Sequence, residues 1–340
     1  MAFEVNILGK KTILVNEGDS ILESALEQGV EFPHGCRSGN CGACKTKLLS
    51  GKVDMMPYSE FAIEEQELKN NFILACRALP QNNCKIEIAN NSEKKVRQNI
   101  KQIKFRALDI NKVTEEIISL RLENTSDEQF NFLAGQYAEL QFDSLEPRQF
   151  SMANCPSDKN LEFHIKKQPD GKVSDYIFNK LKPGEELFIK GPYGDSYLRD
   201  NHRGPILGVA GGTGLAPILS ISLSSYKKKM KQPIYIYIGA KKEEEFYYLE
   251  KFIKIKNKNP NFSFFPIISD QKSSKKYRTG LVTDAVMEDI EDFDGFKVYL
   301  AGPPPMVEAA ENLFPNLGLD NKDIHADAFY TSYEEEGKNG

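Results

Sequence analysis

Four cysteines constrain this chain more than any other feature. Cys36, Cys41 and Cys44 stand in the run His34-Gly35-Cys36-Arg37-Ser38-Gly39-Asn40-Cys41-Gly42-Ala43-Cys44, four residues separating the first two and two the next pair; Cys76 follows after a further 31 residues. Four thiolates at that spacing hold a [2Fe–2S] cluster. A loop that wraps three ligands around a metal core must turn its backbone amides toward the sulfides, and Gly35, Gly39 and Gly42 supply the dihedrals for it. Such amide hydrogen bonds offset the negative charge of the core and tune its potential, and Arg37 adds a positive charge beside it. A zinc site uses closer pairs or mixed His/Cys sets, and a disulfide framework is the other reading of paired cysteines. The complete four-ligand pattern favours the cluster over both. Cys84 and Cys155 are read as structural or incidental.

The rest of the chain bounds what the cluster serves. A length of 340 residues suggests two or three domains, each able to bury its own core. A net charge of −5 leaves no basic excess for a phosphate backbone, so nucleic acid is not an expected partner. No apolar run approaches the roughly 18 residues of a membrane span, and the N-terminus alternates as a strand at Phe3, Val5 and Ile7 rather than as a leader. Thiolates without a disulfide framework suit a reducing compartment, so the cytoplasm is expected; a monomer is expected as well.

Hydrophobic periodicity divides the chain into three. The first part, residues 1–95, reads as strand, strand, helix, cluster loop and returning strand. Ser20 and Glu23 form a capping box for a helix over Ile21–Gln28, and Gly29 ends it. The polar stretch Asn90–Gln98 reads as a linker. Residues 99–200 carry short alternating strands at 101–108, 117–122, 136–142, 148–153, 161–166 and 186–190, with one helix at Val173–Leu181, which predicts a small antiparallel barrel. Residues 201–333 alternate strands with helices: Ile206–Ala210, a helix from Leu215, Ile234–Ile238, a helix from Glu243, Phe262–Ile268 and Lys297–Ala301. That pattern predicts a parallel, doubly wound sheet. The tail at 334–340 reads as disordered.

Two glycine-rich turns fall at strand ends of the third part. Gly211-Gly212-Thr213-Gly214 lies between a buried strand and a helix, where free N–H groups and the helix dipole can hold a pyrophosphate. Ala301-Gly302-Pro303-Pro304 ends another strand. In a doubly wound sheet, ligands bind outside the carboxyl ends of the strands, where both turns lie. Either turn alone reads equally as a tight turn; together they favour a nucleotide. In the second part, Arg148-Gln149-Phe150-Ser151 offers a fixed cation, a flat ring and a hydroxyl, which a flavin dinucleotide needs and which an ordinary strand with a surface arginine would also show. Alternation puts Arg148 and Phe150 on one face, with Ser151 on the other. Gly171-Lys172-Val173-Ser174 opens the barrel's helix as a second phosphate seat.

Over its whole length the chain resembles the reductase components of bacterial multicomponent oxygenases, nearest to those of phenol, toluene and methane monooxygenases with benzoate-dioxygenase-type reductases close behind; the resemblance implies a β-grasp-like, plant-type ferredoxin domain at the N-terminus before an FAD and an NAD domain. The resemblance implies Arg148 on the FAD pyrophosphate, Phe150 against the flavin, Ser151 near flavin N5, and Gly171 and Ser174 at the phosphate-binding helix start. It implies Gly211, Gly212, Thr213 and Gly214, with Gly302 and Pro303, at the NADH site. Ala301 stands where the family has Cys. It further implies that Phe329 shields the flavin, although Phe329 and Tyr330 would equally close the sheet as core residues. The expected route runs from NADH through FAD to the cluster and on to an oxygenase component or an intermediate carrier. NADH is favoured over NADPH by Glu243, Glu244 and Glu245 after the second strand, against Lys241 and Lys242. A reductase for a non-oxygenase acceptor, such as a deoxysugar-forming iron–sulfur dehydratase, would use the same modules, and so would a redox sensor. No histidine stands out as a catalyst: His34 reads as structural or exposed, and His164 as a neighbour of the FAD phosphates, a surface residue or a core residue.

Overall fold

The computed structural model describes residues 2–34, 37, 39, 42–58, 62–63, 65–88, 100–143, 145–270 and 274–329. Contacts divide the chain into two compact units, one within Met1–Gln98 and one within Asn99–Phe329. The linker read at Asn90–Gln98 and the tail at 334–340 lie outside the described residues.

The first unit runs β1 (Ala2–Ile7), β2 (Thr12–Asn16), α1 (Ile21–Glu27), β3 (Lys45–Ser50), β4 (Val53–Met55), α2 (Glu65–Lys69), β5 (Phe72–Leu74), β6 (Ala78–Pro80) and β7 (Cys84–Ile88). Its main sheet has the order β2-β1-β7-β3-β5, with β1 and β7 parallel and the other neighbours antiparallel. The alternation seen in sequence turns Val5 and Ile7 inward, where they meet Ile21, Leu22 and Ala25 of α1. Burying a side chain such as Ile21 or Leu22 completely contributes about 1.5–3 kcal/mol. Ser20 caps α1, its Oγ accepting from the Glu23 amide at 3.2 Å. The helix ends at a left-handed Gly29, whose amide donates to Leu26 while that of Val30 donates to Ala25. The capping box is half formed: the Glu23 carboxylate accepts from Arg37 Nε at 2.7 Å, drawn away from the helix by a full guanidinium charge.

In the second unit, β8 (Lys101–Lys112), β9 (Ile117–Asn124), β10 (Tyr137–Gln141), β11 (Arg148–Ser151), β12 (Leu161–Lys166) and β13 (Glu186–Tyr193) form an antiparallel sheet of order β11-β10-β13-β8-β9-β12. A bridge between Met152 and Phe163 brings its two ends together, so the six strands make a nearly closed barrel. Phe105, Leu120, Leu140, Phe163 and Ile189 fill it, and α3 (Lys172–Asn179) packs Val173 and Ile177 against it.

The chain then alternates β14 (Ile206–Gly211), α4 (Leu215–Lys227), β15 (Ile234–Ala240), α5 (Leu249–Lys256), β16 (Phe262–Ile268), β17 (Arg278–Thr279), α6 (Val282–Asp289), β18 (Lys297–Gly302), α7 (Pro304–Leu313) and β19 (Ile324–Ala328). All six strands are parallel, in the order β17-β16-β15-β14-β18-β19. Every residue of β14 is buried, as a strand covered on both faces must be. Ile206, Ala210, Ile236 and Ile238 pack with α4 and α5, whereas Leu207, Val209, Val298 and Leu300 pack with α6 and α7. The helix expected from Glu243 begins six residues later, at Leu249. Glu243–Glu245 make a single 3-10 turn, and Tyr248 in a left-handed conformation (φ +57°) resets the chain, because Tyr247 is drawn into the core.

Candidate functional site

The thiols of Cys44 and Cys76 are buried, with their sulfurs 3.2 Å apart. Cys44 closes the loop where it enters β3, and Cys76 lies in the turn between β5 and β6. Two thiolates converging at that separation, beyond disulfide bonding length, are donors that one iron can take up together. Cys36 and Cys41 lie outside the described residues. Gly42 is left-handed (φ +65°), and a Cβ there would stand 2.7 Å from the Ala62 carbonyl, so no side chain fits that bend. The donor chemistry therefore fits a [2Fe–2S] cluster. The charge of Arg37 is shared with Glu23 rather than directed at the loop alone. His34, read as structural or exposed, is buried, with Nδ1 2.8 Å from the Phe32 carbonyl.

On the barrel, β11 places Ser151 opposite Tyr137 and Phe150 opposite Ala138. Ser151 is buried, Phe150 leans half-exposed on the barrel core, and the Arg148 guanidinium stands in solvent, donating to the Pro147 carbonyl at 2.9 Å. An exposed cation, a ring with one open face and a hydroxyl thus follow one another along an edge strand. Ser174 acts locally, since its hydroxyl donates to the Gly171 carbonyl at 2.9 Å and accepts from the Gln168 amide at 3.1 Å. A Cβ at Gly171 would meet that hydroxyl at 2.6 Å. Gly171 and Ser174 therefore build the turn, and the amides opening α3, ahead of the Asp175-to-Gly171 bond, are the groups it presents.

In the parallel sheet β14 has β15 on one side and β18 on the other, so the strand order reverses beside it. That switch point is where doubly wound sheets take ligands. The two glycine turns interlock there. A Cβ on Gly302 would lie 2.6 Å from the Gly211 carbonyl, one on Gly211 would lie 2.9 Å from Pro303, and one on Gly214 would clash with the Ala301 carbonyl. Gly212, by contrast, is exposed, left-handed (φ +56°) and open above, with Thr213 half-buried beside it. Ala301 faces the α4 side of the core. The Phe329 amide donates to the Gly302 carbonyl at 2.9 Å, so Phe329 continues β19 past the same junction; its side chain is half-buried and outside both sheet cores. Tyr330 lies outside the described residues.

A cleft of about 200 Å³ opens from Gly212 along the ends of β14 and β15, with Glu116 and Lys166 on its barrel wall and Gly239, Lys242, Glu244 and Glu245 on the other. Of the three carboxylates named from sequence, Glu243 is engaged by Lys276 at 2.7 Å and Glu245 accepts from the Lys241 amide at 3.0 Å. Glu244 also lines the cleft.

One group of polar residues joins barrel and sheet, and of its members only His164 was singled out from sequence. Glu162, 13% exposed at its side chain, accepts from Ser119 Oγ at 3.1 Å and lies 3.3 Å from Lys251 Nζ and 3.4 Å from His164 Nε2. His164 Nδ1 is 3.0 Å from the Tyr247 hydroxyl. Burial would raise the Glu162 pKa, but the His164 hydrogen bond and the Lys251 charge outweigh it and hold it down to about 2. Burial also lowers the His164 pKa, despite Glu162, and raises that of Tyr247. His164 is thus a core residue at a lobe boundary. The Phe-Tyr-Tyr run before α5 reads as plain hydrophobicity.

Comparison with known proteins finds three family matches along the chain. Residues 5–81 match the 2Fe-2S iron-sulfur cluster binding domain, 104–197 the oxidoreductase FAD-binding domain, and 209–312 the oxidoreductase NAD-binding domain. The chain is 35% identical over 320 residues to the ferredoxin–NAD(P)(+) reductase component of the naphthalene 1,2-dioxygenase system of Pseudomonas putida, covering 94% of this chain and 96% of that one. It is 34% identical over 324 residues to the reductase component of propane 2-monooxygenase of Mycolicibacterium goodii, covering 93% of each. Among solved structures, an Amycolatopsis cytochrome P450 reductase superposes with a TM-score of 0.80 at 31% identity, over 96% of this chain and 98% of that one. The ferredoxin reductase in carbazole 1,9a-dioxygenase gives 0.74 at 27%, over 97% and 99%.

Proposed function

The chain belongs to the family of iron–sulfur flavoprotein reductases found as ferredoxin–NAD(P)(+) reductase components of oxygenase systems, and on that premise we propose that it delivers electrons from NADH to the terminal component of a multicomponent mono- or dioxygenase, directly or through a carrier. Bound FAD would take hydride from NADH two electrons at a time and the [2Fe–2S] cluster would pass them on singly, chemistry that belongs to the cofactors while the protein supplies position.

The chain's own residues divide that work over domains at 1–95, 99–200 and 201–333. Cys36, Cys41, Cys44 and Cys76 hold the cluster. Arg148 neutralises the FAD pyrophosphate with the amides opening α3 at Gly171–Ser174, Phe150 supports the flavin ring, and Ser151 lies at its reactive edge. Gly211, Gly212, Thr213 and Gly214, with Gly302 and Pro303, seat the NADH pyrophosphate. Phe329 covers the flavin face that the nicotinamide reaches. Glu244 in the cleft favours ribose hydroxyls over a 2′-phosphate. The four described cysteines, Cys44, Cys76, Cys84 and Cys155, are thiols rather than disulfides, which fits the cytoplasm.

The observation that carries the reading is the interlock of Gly211–Gly214 with Gly302–Pro303 at the switch point, in a chain that also brings Cys44 and Cys76 together. The test is reconstitution with the oxygenase encoded nearest its gene. NADH-dependent product formation that stops when this protein is omitted is the expected result. Rapid ferricyanide reduction with NADH, no oxygenase product, and efficient support of a dehydratase instead would assign a different acceptor.

A further inference from the structure

The cleft that opens from Gly212 has two walls of different origin. One belongs to the parallel sheet. The other is the end of the barrel, where β12 finishes at Lys166 and the chain between β8 and β9 turns at Thr114–Glu116. That wall is firmly held. Lys166 stands opposite Ile117 in the β12–β9 pair, the Lys167 amide donates to the Glu116 carbonyl at 2.8 Å, and the Glu116 amide donates to Thr114 Oγ at 3.2 Å. The buried Ile117 joins the hydrophobic cluster that holds Ile238 of β15 and Leu215, the residue after Gly214, and Val113 packs against the same cluster. The hairpin is therefore docked on the elements that carry the glycine turn, and Lys166 and Gly212 line one cavity.

Charge decides what that wall does. Glu115, Glu116, Glu244 and Glu245 line the cleft against two lysines, Lys166 and Lys242. A pyrophosphate carries two negative charges, which the amides of a helix start offset in part, and a surplus of carboxylates repels it. Three of the four carboxylates are engaged: Glu115 by Lys112 at 2.6 Å, Glu245 by the Lys241 amide at 3.0 Å, and Glu116 by Lys166 at 3.3 Å. Lys242 follows β15 among the glutamates, whereas Lys166 is brought to the cleft by the barrel. Alternation turns the next residue away, and Lys167 Nζ lies 6.0 Å from the Phe178 ring centroid instead. The side chains of Lys166 and Glu116 are 46% and 68% exposed, so their ion pair is a weak tie in water. A doubly charged pyrophosphate competes well for such an ammonium, whose three N–H donors are free to turn from one anion to another.

We propose that Lys166 is a further NADH-binding residue, a cation carried by the flavin barrel that pairs with the pyrophosphate seated on Gly211–Gly214, and that Glu116 competes with the nucleotide for it. The inference rests on the reading of Gly211–Gly214 as the NADH seat. The pyrophosphate is remote from the carbon that gives up hydride, so this contact is made alike before and during the transfer. Its loss weakens binding uniformly, raising KM and leaving kcat in place.

The test uses the full-length holoprotein and ADP-ribose, which keeps the pyrophosphate and lacks the nicotinamide, with its Kd read by calorimetry beside NADH kinetics with ferricyanide. Lys166→Met keeps the apolar stem and removes the charge. It should raise both the Kd and the NADH KM roughly five- to tenfold, the loss of one charge-assisted contact at an accessible site, with kcat and FAD content unchanged. Lys166→Arg keeps the charge and should remain within about twofold of wild type. Glu116→Gln breaks the same ion pair from its other side and should act in the opposite direction, lowering both constants about two- to threefold. Added salt should raise the wild-type Kd more steeply than that of Lys166→Met. A pair that merely fastens the hairpin would move both variants the same way. Equal weakening in Lys166→Met and Glu116→Gln, or an unchanged Kd in Lys166→Met, would overturn the inference and leave the NADH seat standing. Failure of the wild-type protein to bind ADP-ribose would instead overturn the reading of the turn as the NADH seat, and the inference with it.

Discussion

Arg148 and Phe329 are the residues whose surroundings speak most directly to the flavin. The exposed Arg148 guanidinium donates to its neighbour's carbonyl and makes no ion pair among the described residues, so a pyrophosphate would gain a strong charge-assisted pair there. Arg148→Ala should yield protein with little bound FAD, checked by flavin absorbance after purification; full occupancy would count against the assignment. Phe329 hangs from the Gly302 carbonyl by its amide, with its ring outside the sheet cores. Phe329→Ala should therefore leave the melting temperature nearly unchanged, tighten nicotinamide binding and raise NADH-oxidase turnover in air. A core ring would behave otherwise, with about 3–5 kcal/mol of stability lost and flavin reactivity untouched. The cysteine spacing and the glycine turns could be read from the chain because each needs a particular residue type at a fixed interval. The roles of Gly214 and Tyr247 could not, because their partners come from β18 and from the barrel.

Among the elements, β12 does the most, since it closes the barrel beside β11, leads into α3 and carries Glu162 and His164 to the sheet lobe. Strand existence along the barrel followed from period-two alternation. The start of α5 did not, because three glutamates look like a helical first turn, while the left-handed Tyr248 that delays the helix is dictated by tertiary packing. The buried pair on β12 gives the second unit an acid-labile joint. Glu162, held near pKa 2 against an ordinary 4.5, binds fewer protons folded than unfolded, so its contribution is complete above 4.5 and lost as pH falls toward 2. Burial lowers the His164 pKa below its ordinary 6.5, so the folded state binds fewer protons than the unfolded one; its contribution is complete above 6.5 and lost as pH falls below that value. Lys251, Tyr247, Tyr248 and Ser119 face the pair. Both slopes have one sign, so the melting temperature of this unit should decline from pH 7 to pH 4, beginning near 6.5. A flat profile down to 4.5 would show that His164 does not contribute.

At the scale of the whole molecule, the three-part order was legible because each part has its own period: a cysteine loop beside a strand–helix pattern, then alternating strands, then strands alternating with helices. Chemically the order joins a two-electron donor site to a one-electron metal centre on one chain. Anaerobic addition of NADH to the holoprotein, with the visible spectrum and low-temperature electron paramagnetic resonance recorded on the same sample, tests that claim most directly. The account predicts that flavin absorbance bleaches while the paramagnetic signal of a reduced cluster grows. In Cys76→Ser the flavin should still bleach and ferricyanide turnover persist, with no cluster signal. A wild-type sample whose flavin bleaches while the cluster stays oxidised, or a Cys76→Ser variant whose ferricyanide turnover collapses, would contradict it.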